Sequence, residues 1–151
     1  MYATVTPWII SRDTARLIEF TQQAFGAVEL GRLPGPRGGI GHAEVRIGDS
    51  VVMMFDAPQG WPETPAFMRL YVDDGDTLYQ RAVAAGATRV TEMTSLFFGD
   101  RVGRVRDPLG NIWWIQTHVE DVDAAELERR PQDPAARAAL RYVEESLATA
   151  L

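Results

Sequence analysis

Cysteine and lysine are both absent from this 151-residue chain. Without cysteine there are no disulfides, no thiolate nucleophile and no sulfur ligands for a metal other than methionine thioethers. Without lysine there is no Schiff-base chemistry, because all 15 basic residues are arginine. Only 2 histidines are present, so the usual imidazole-rich metal coordination is hard to assemble from one subunit. Long apolar runs are missing too. None approaches the ~20 residues of a membrane-spanning helix, and Met1-Tyr2-Ala3-Thr4 does not resemble the start of a signal peptide. A soluble, cytoplasmic protein is the expectation. No basic run is longer than Arg129-Arg130 and the formal net charge is -6, which argues against a nucleic-acid partner. The 46% apolar content is enough for a core in one compact domain or in two small fused modules.

What is present occurs twice. Ile9-Ile10-Ser11-Arg12-Asp13 leads into a helical stretch that stops at Gly26-Ala27, and Leu70-Tyr71-Val72-Asp73-Asp74 leads into another that stops at Gly86-Ala87. Asp13 and Asp74 are 61 residues apart, Gly26 and Gly86 are 60 apart, and the turn Gly48-Asp49 is echoed 62 residues later by Gly110-Asn111. Such spacing marks the duplication of a whole folding unit.

In the first unit, residues 4–10 are β-rich but contain Pro7, which suits an edge or a bulge. Asp13 as N-cap and Gly26 as stop bracket a helix with apolar positions near helical spacing. Strands at 28–33, 40–47 and 50–55 follow, the first closed by the loop Pro34 to Gly39, the last two joined at Gly48-Asp49. Residues 56–65 carry three prolines and Trp61 and read as a linker able to cover a cavity. The second unit repeats the plan with a strand at 67–72, a helix at 76–85, strands at 88–93 and about 100–106, and a strand at 111–116 after Asp107-Pro108-Leu109-Gly110.

The fold class is therefore α+β, with two tandem βαβββ modules, about 4–56 and 66–117, within residues 1–118. Residues 119–151 form a helical extension. One helix is expected over about 121–130, and another is opened by Asp133-Pro134. In the latter, Ala136, Leu140, Val143 and Leu147 make a stripe that suits packing on the body or on another subunit.

Val72-Asp73-Asp74 before the second helix, and Asp107-Pro108-x-Gly110-Asn111 before the last strand, resemble the vicinal oxygen chelate superfamily. That group holds glyoxalase I, extradiol dioxygenases, fosfomycin-resistance enzymes and bleomycin-resistance-type binding proteins. The resemblance covers roughly residues 4–118, and Gly99 to Asn111 is its most specific part. It implies that the modules curl into half-barrels forming a curved sheet groove, whose strands in metal-using relatives offer histidines and glutamates to one divalent ion. Those positions fall here on Thr6, Met53 or Met54, Phe67 and Trp114, and none is a histidine or a carboxylate. Arg69, on the strand face of Phe67, places a cation where an ion would sit. Burying both without carboxylates is costly, so neither metal nor other cofactor is expected.

Alternation sends Trp114 toward the groove and Trp113 toward the helix layer, though both also suit a core. Trp8 shares a strand face with Thr6, and Met53 and Phe55 share another, as adaptable pocket or as core. Trp61, Phe67 and Phe98 are further candidates for the ligand surface. Arg69 suits a ligand carboxylate, phosphate or carbonyl, or else a pair with Glu44 or Asp56. Arg101, beside Asp100, is read either at the groove mouth or as part of a solvated pair. The expected ligand-binding set is thus Trp8, Met53, Phe55, Trp61, Phe67, Arg69, Phe98, Arg101 and Trp114, with no catalytic residue. His42 and His118 read as structural.

The resemblance to bleomycin-resistance proteins implies a homodimer that sequesters a planar small molecule, such as an antibiotic, in an aromatic-lined groove. The alternative is a metal-dependent lyase, isomerase or dioxygenase with its ion on His42, Glu44 and Asp56. A third reading is a metal-free isomerase or cyclisation enzyme using Glu44 or Asp100 as a base of raised pKa.

Overall fold

The computed structural model describes residues 1–151. Its elements are β1 (Trp8–Ser11), α1 (Thr14–Phe25), β2 (Val28–Pro34), β3 (Ile40–Ile47), β4 (Ser50–Asp56), β5 (Phe67–Tyr71), α2 (Gly75–Ala84), β6 (Thr88–Ser95), β7 (Asp100–Arg106), β8 (Ile112–His118), α3 (Ala124–Arg129), a 3₁₀ turn (Arg130–Gln132) and α4 (Pro134–Ala150). One sheet runs in the order β1-β4-β3-β2 and the other in the order β5-β8-β7-β6. In each, the first strand pairs parallel with the last and the remaining pairs are antiparallel. The duplication in sequence is a duplication of topology, two tandem βαβββ modules of an α+β fold.

Both module helices start in the same way. The Asp13 carboxylate accepts from the Arg16 amide at 3.1 Å, and the Asp74 carboxylate accepts from the Thr77 amide at 3.1 Å, meeting amides that have no partner inside the helix. Gly26 ends α1 at φ 66°, a left-handed conformation open to glycine without strain.

Some boundaries differ from the sequence reading. β1 begins at Trp8, because Pro7 has no amide to give a ladder; its carbonyl accepts from Met53 N at 3.0 Å just outside the strand. α2 runs from Gly75 to Ala84, one residue earlier at each end than the 76–85 expected, with Asp74 as its cap and Asp76 in the first turn. β6 runs two residues further, to Ser95, and β8 is shifted to 112–118, since Asn111 is held in the preceding turn. α3 begins only after its cap Asp123.

Side chains alternate across both sheets. Ile9, Ala43, Val45, Val52 and Met54 of the first point at α1, and Val105, Trp113 and Ile115 of the second join the same core. The helices α1 and α2 pack on each other in the middle, and Phe25 meets Trp113 with ring centroids 4.8 Å apart. Gly103 is required where β7 passes α2, because a Cβ there would lie 3.0 Å from the Tyr79 ring and 2.5 Å from the Met93 sulfur.

The last turn fastens this core. Asp107, buried, accepts from the amides of Leu109 (2.8 Å) and Asn111 (3.1 Å), from Asn111 Nδ2 (2.9 Å) and from Trp113 Nε1 (2.8 Å). Asn111 Oδ1 in turn accepts from the Ala66 amide at 2.8 Å and ties the linker to β8. The Asp-Pro-x-Gly-Asn motif thus does structural work in the fold.

With the core and the module helices between the sheets, the other faces of the two sheets are turned outward, away from each other. α4 lies across the outward face of the second sheet, on β6 and β7. No helix is long and apolar enough to cross a membrane.

Candidate functional site

Strand register sets one row of outward side chains across each sheet. In the first, Trp8, Met53, Glu44 and Gly31 stand side by side on β1, β4, β3 and β2. In the second, Arg69, Trp114, Arg104 and Thr91 hold the matching places on β5, β8, β7 and β6.

The first face is an open aromatic surface. Trp8, 49% exposed, meets Phe55 and His42 edge-on at centroid distances of 5.8 and 5.6 Å. The linker brings Trp61, 51% exposed, edge-on to Phe55 at 6.1 Å. Edge contacts leave ring faces free for a flat ligand. Glu44 accepts from the Tyr2 hydroxyl at 2.6 Å and lies 3.0 Å from His42 Nε2. The Tyr2 hydrogen bond and then the His42 contact hold its carboxyl below the usual glutamate range. A general base of raised pKa needs the opposite shift, so Glu44 does not fit the metal-free isomerase reading.

On the second face, Phe67 and Tyr71 are exposed beside Arg69, whose guanidinium lies 5.5 Å from the Tyr71 ring centroid. Arg69 donates to Gln116 Oε1 at 3.4 Å and pairs with neither Glu44 nor Asp56. Gln116 continues to Asp100 at 2.5 Å, Asp100 to His118 at 2.8 Å, and His118 to Asp121 at 2.8 Å. The two carboxylates, Asp100 foremost, raise the His118 pKa.

Trp114 is half-buried, with the Arg104 guanidinium 4.1 Å from its ring centroid. Arg104 is 2% exposed and donates to the Val143 carbonyl of α4 at 2.6 Å and to Thr91 Oγ1 at 3.0 Å. It has no carboxylate partner, and burial pulls its pKa below the ordinary arginine value. Arg104 Nε and Trp114 Nε1 are buried without hydrogen-bond partners. Above them Val143 packs with Leu96 and Val102, flanked by Ala139 and Leu140, so the α4 stripe lies on its own chain.

Other residues are placed elsewhere. Arg101 points to the helix side, where it grips Asp76 through bonds of 2.9 and 2.7 Å; β7 alternation puts it opposite Arg104, away from the outward face. Met54 is in the core and Met53 faces outward. Phe98 lies in the turn between β6 and β7, edge-on to Phe97 at 5.3 Å, whose carbonyl is held by Arg130 at 3.3 Å. Asp56 accepts from the amides of Thr14 and Ile40, each at 2.8 Å, and so fastens α1 and β3. The set His42, Glu44 and Asp56 is therefore not assembled, and no three histidine or carboxylate side chains converge to hold a metal. Thr6, whose hydroxyl donates to Ala3 O at 2.9 Å, Met53, Phe67 and Trp114 do not fit a divalent ion either.

Sequence reasoning left out Arg104, Tyr71, Gln116 and Tyr2 as site residues. Alternation along β7 was the available sign for Arg104, since Gly103 and Val105 face the core. The cover supplied by α4 had no such sign, because its stripe suited the body and another subunit equally.

Residues 3–115 match the Glyoxalase/Bleomycin resistance protein/Dioxygenase superfamily. Uncharacterised proteins of Mycobacterium bovis and Mycobacterium tuberculosis H37Rv are each 38% identical over 135 residues, spanning 82% of this chain and 89% and 79% of their own. TioX from Micromonospora sp. ML1 has a similar structure, with a TM-score of 0.64 and 24% identity over 80% of this chain and 100% of that one. A lactoylglutathione lyase from Agrobacterium tumefaciens gives a TM-score of 0.58 and 20% identity over 76% and 92%. At these identities the solved structures speak for the fold. α4 lies outside residues 3–115, the part that matches the superfamily.

Proposed function

The chain belongs to the Glyoxalase/Bleomycin resistance protein/Dioxygenase superfamily, and from that premise we propose that it captures a flat organic molecule on its outward faces without a metal. One observation carries this reading. The four places that the family resemblance assigns to the ligands of metal-using relatives hold Thr6, the outward-facing Met53, Phe67 and Trp114, and exposed aromatic rings stand beside them. A surface of Trp8, Phe55 and Trp61, with Met53 beside it, offers stacking and an adaptable thioether in place of Lewis-acid chemistry.

Sequestration of an antibiotic or similar toxic compound in the cytoplasm is the role that suits such a surface, with binding itself as the protective act. A homodimer is part of the proposal. Because the outward faces point away from each other, a second copy would set the first face of one chain against the uncovered β5 side of the other's second face and enclose the ligand.

The test is a tryptophan-fluorescence titration of chelator-treated protein with proflavine and 2-naphthoate, beside elemental analysis of the purified protein. Saturable quenching in metal-free protein supports the reading. Stoichiometric zinc, iron, manganese or nickel, with no quenching once it is removed, favours the metalloenzyme instead.

A further inference from the structure

Arg69, Trp114 and Arg104 form one row on β5, β8 and β7, two cations flanking one indole. Neither arginine has an ion pair, although the chain carries a net charge of -6 and has 21 carboxylate side chains. The carboxylate on that face, Asp100, is already engaged by Gln116 and His118. Arg104 is the unusual member. It is 2% exposed, stacked on Trp114, and satisfied only by a helix carbonyl and a threonine hydroxyl, while its Nε stays unpartnered. A buried cation without a counter-ion is costly, and Trp114 Nε1 adds a second buried donor without an acceptor at the same spot.

The element that hides this pair is thinly attached. α4 has 17 residues, but Val143 is its one buried side chain. The rest of its hold is the half-buried Ala139 and Leu140 beside Val143 and a set of polar contacts: Tyr142 Oη accepts from the Glu92 amide at 2.8 Å, Ser146 Oγ meets Thr91 Oγ1 at 2.6 Å, and Arg106 donates to the Ala150 carbonyl. Val143 O, the main acceptor for Arg104, is a neutral carbonyl, and a carboxylate forms a shorter and stronger bond to a guanidinium.

We propose that the Arg69–Trp114–Arg104 row is a recognition site for an aromatic carboxylate, and that α4 is its displaceable cover. The ligand's ring stacks on Trp114. Its acid group enters from the open β5 side past Arg69 and takes the place of the Val143 carbonyl on Arg104. The site rests on the reading of the outward faces as ligand-binding surfaces, and it adds a charge requirement and a moving part that this reading does not contain.

The chain has no cysteine, so α4 can be fastened reversibly by Thr91→Cys with Ser146→Cys, at positions whose side-chain oxygens are 2.6 Å apart. Binding of 2-naphthoate and of uncharged 2-naphthamide is measured on wild-type protein, on Arg104→Gln and on the double-cysteine protein, oxidised and reduced. We expect wild type to favour the carboxylate at least ten-fold, Arg104→Gln to abolish that preference, and the oxidised form to lose naphthoate binding until dithiothreitol restores it. Equal affinity for acid and amide in wild type overturns the anion site. Unchanged naphthoate binding after oxidation overturns the cover. If Arg104→Gln does not fold, the wild-type comparison and the reversible fastening still decide. Proflavine quenching that persists while naphthoate shows no preference defeats this site and leaves the broader binding reading intact; absence of binding by all probes defeats both.

Discussion

Glu44 and Arg104 occupy equivalent places in the two duplicated sheets and carry opposite charge, each one strand in from the outward residue of the closing strand, Met53 or Trp114. The duplication kept the scaffold and changed the chemistry of its faces. One row offers aromatic surface and an acid held by Tyr2 and His42, the other two arginines around an indole.

The Glu44 carboxyl should titrate below the ordinary glutamate range, because the Tyr2 hydroxyl donates to it and His42 lies alongside. Carbon-13 NMR of the glutamate carboxyls checks this. Tyr2→Phe should move the resonance's midpoint up, and a wild-type midpoint above the ordinary range would reopen a role for Glu44 as general base.

Asp107→Ala should destabilise the fold by about 3 kcal/mol, since a buried carboxylate that accepts from Trp113 Nε1, Asn111 and the Leu109 amide leaves those donors stranded. Urea unfolding gives the value, with the slope expected to hold. A loss below about 0.5 kcal/mol would mean that the turn is not the fastening described.

Most of the architecture was legible because it is local and repeated. The aspartate caps at Asp13 and Asp74, the Gly26 stop and the two-residue turn at Gly48 each state their geometry in a few adjacent residues. The candidate site was legible only as far as strand alternation reaches. Alternation placed Trp113 in the core and Trp114 outward, but Arg101 needed its own parity against Gly103, which contacts Tyr79 and Met93 of the core side. The covering of Arg104 by α4 depends on contacts 39 residues apart in sequence, which no local pattern encodes.

Arg101→Ala should leave naphthoate and proflavine affinities unchanged while costing up to about 1 kcal/mol of stability, because the guanidinium bridges Asp76 and Ser95 on the helix side in partly exposed surroundings. Fluorescence titration and urea unfolding of the same preparation check both halves. A large loss of affinity at normal stability would return Arg101 to the ligand surface.

His118 gives stability a pH dependence of known sign. Its pKa is raised in the fold by Asp100 and Asp121, so the stabilisation is fully present below the unfolded value of about 6.5 and fades as pH rises through the higher folded value. Thermal melts from pH 6 to pH 9 should show that decline in wild type and a smaller one in His118→Gln. Equal pH profiles for the two proteins would rule out the Asp100–His118–Asp121 linkage as its source.

The most direct measurement is probe affinity in chelator-treated protein, by tryptophan fluorescence with proflavine and 2-naphthoate, repeated after adding back zinc, nickel, manganese and ferrous iron one at a time. The account predicts saturable binding in the metal-free protein and the same affinity after each addition. Binding that emerges only with one of the ions, taken up stoichiometrically, would contradict it.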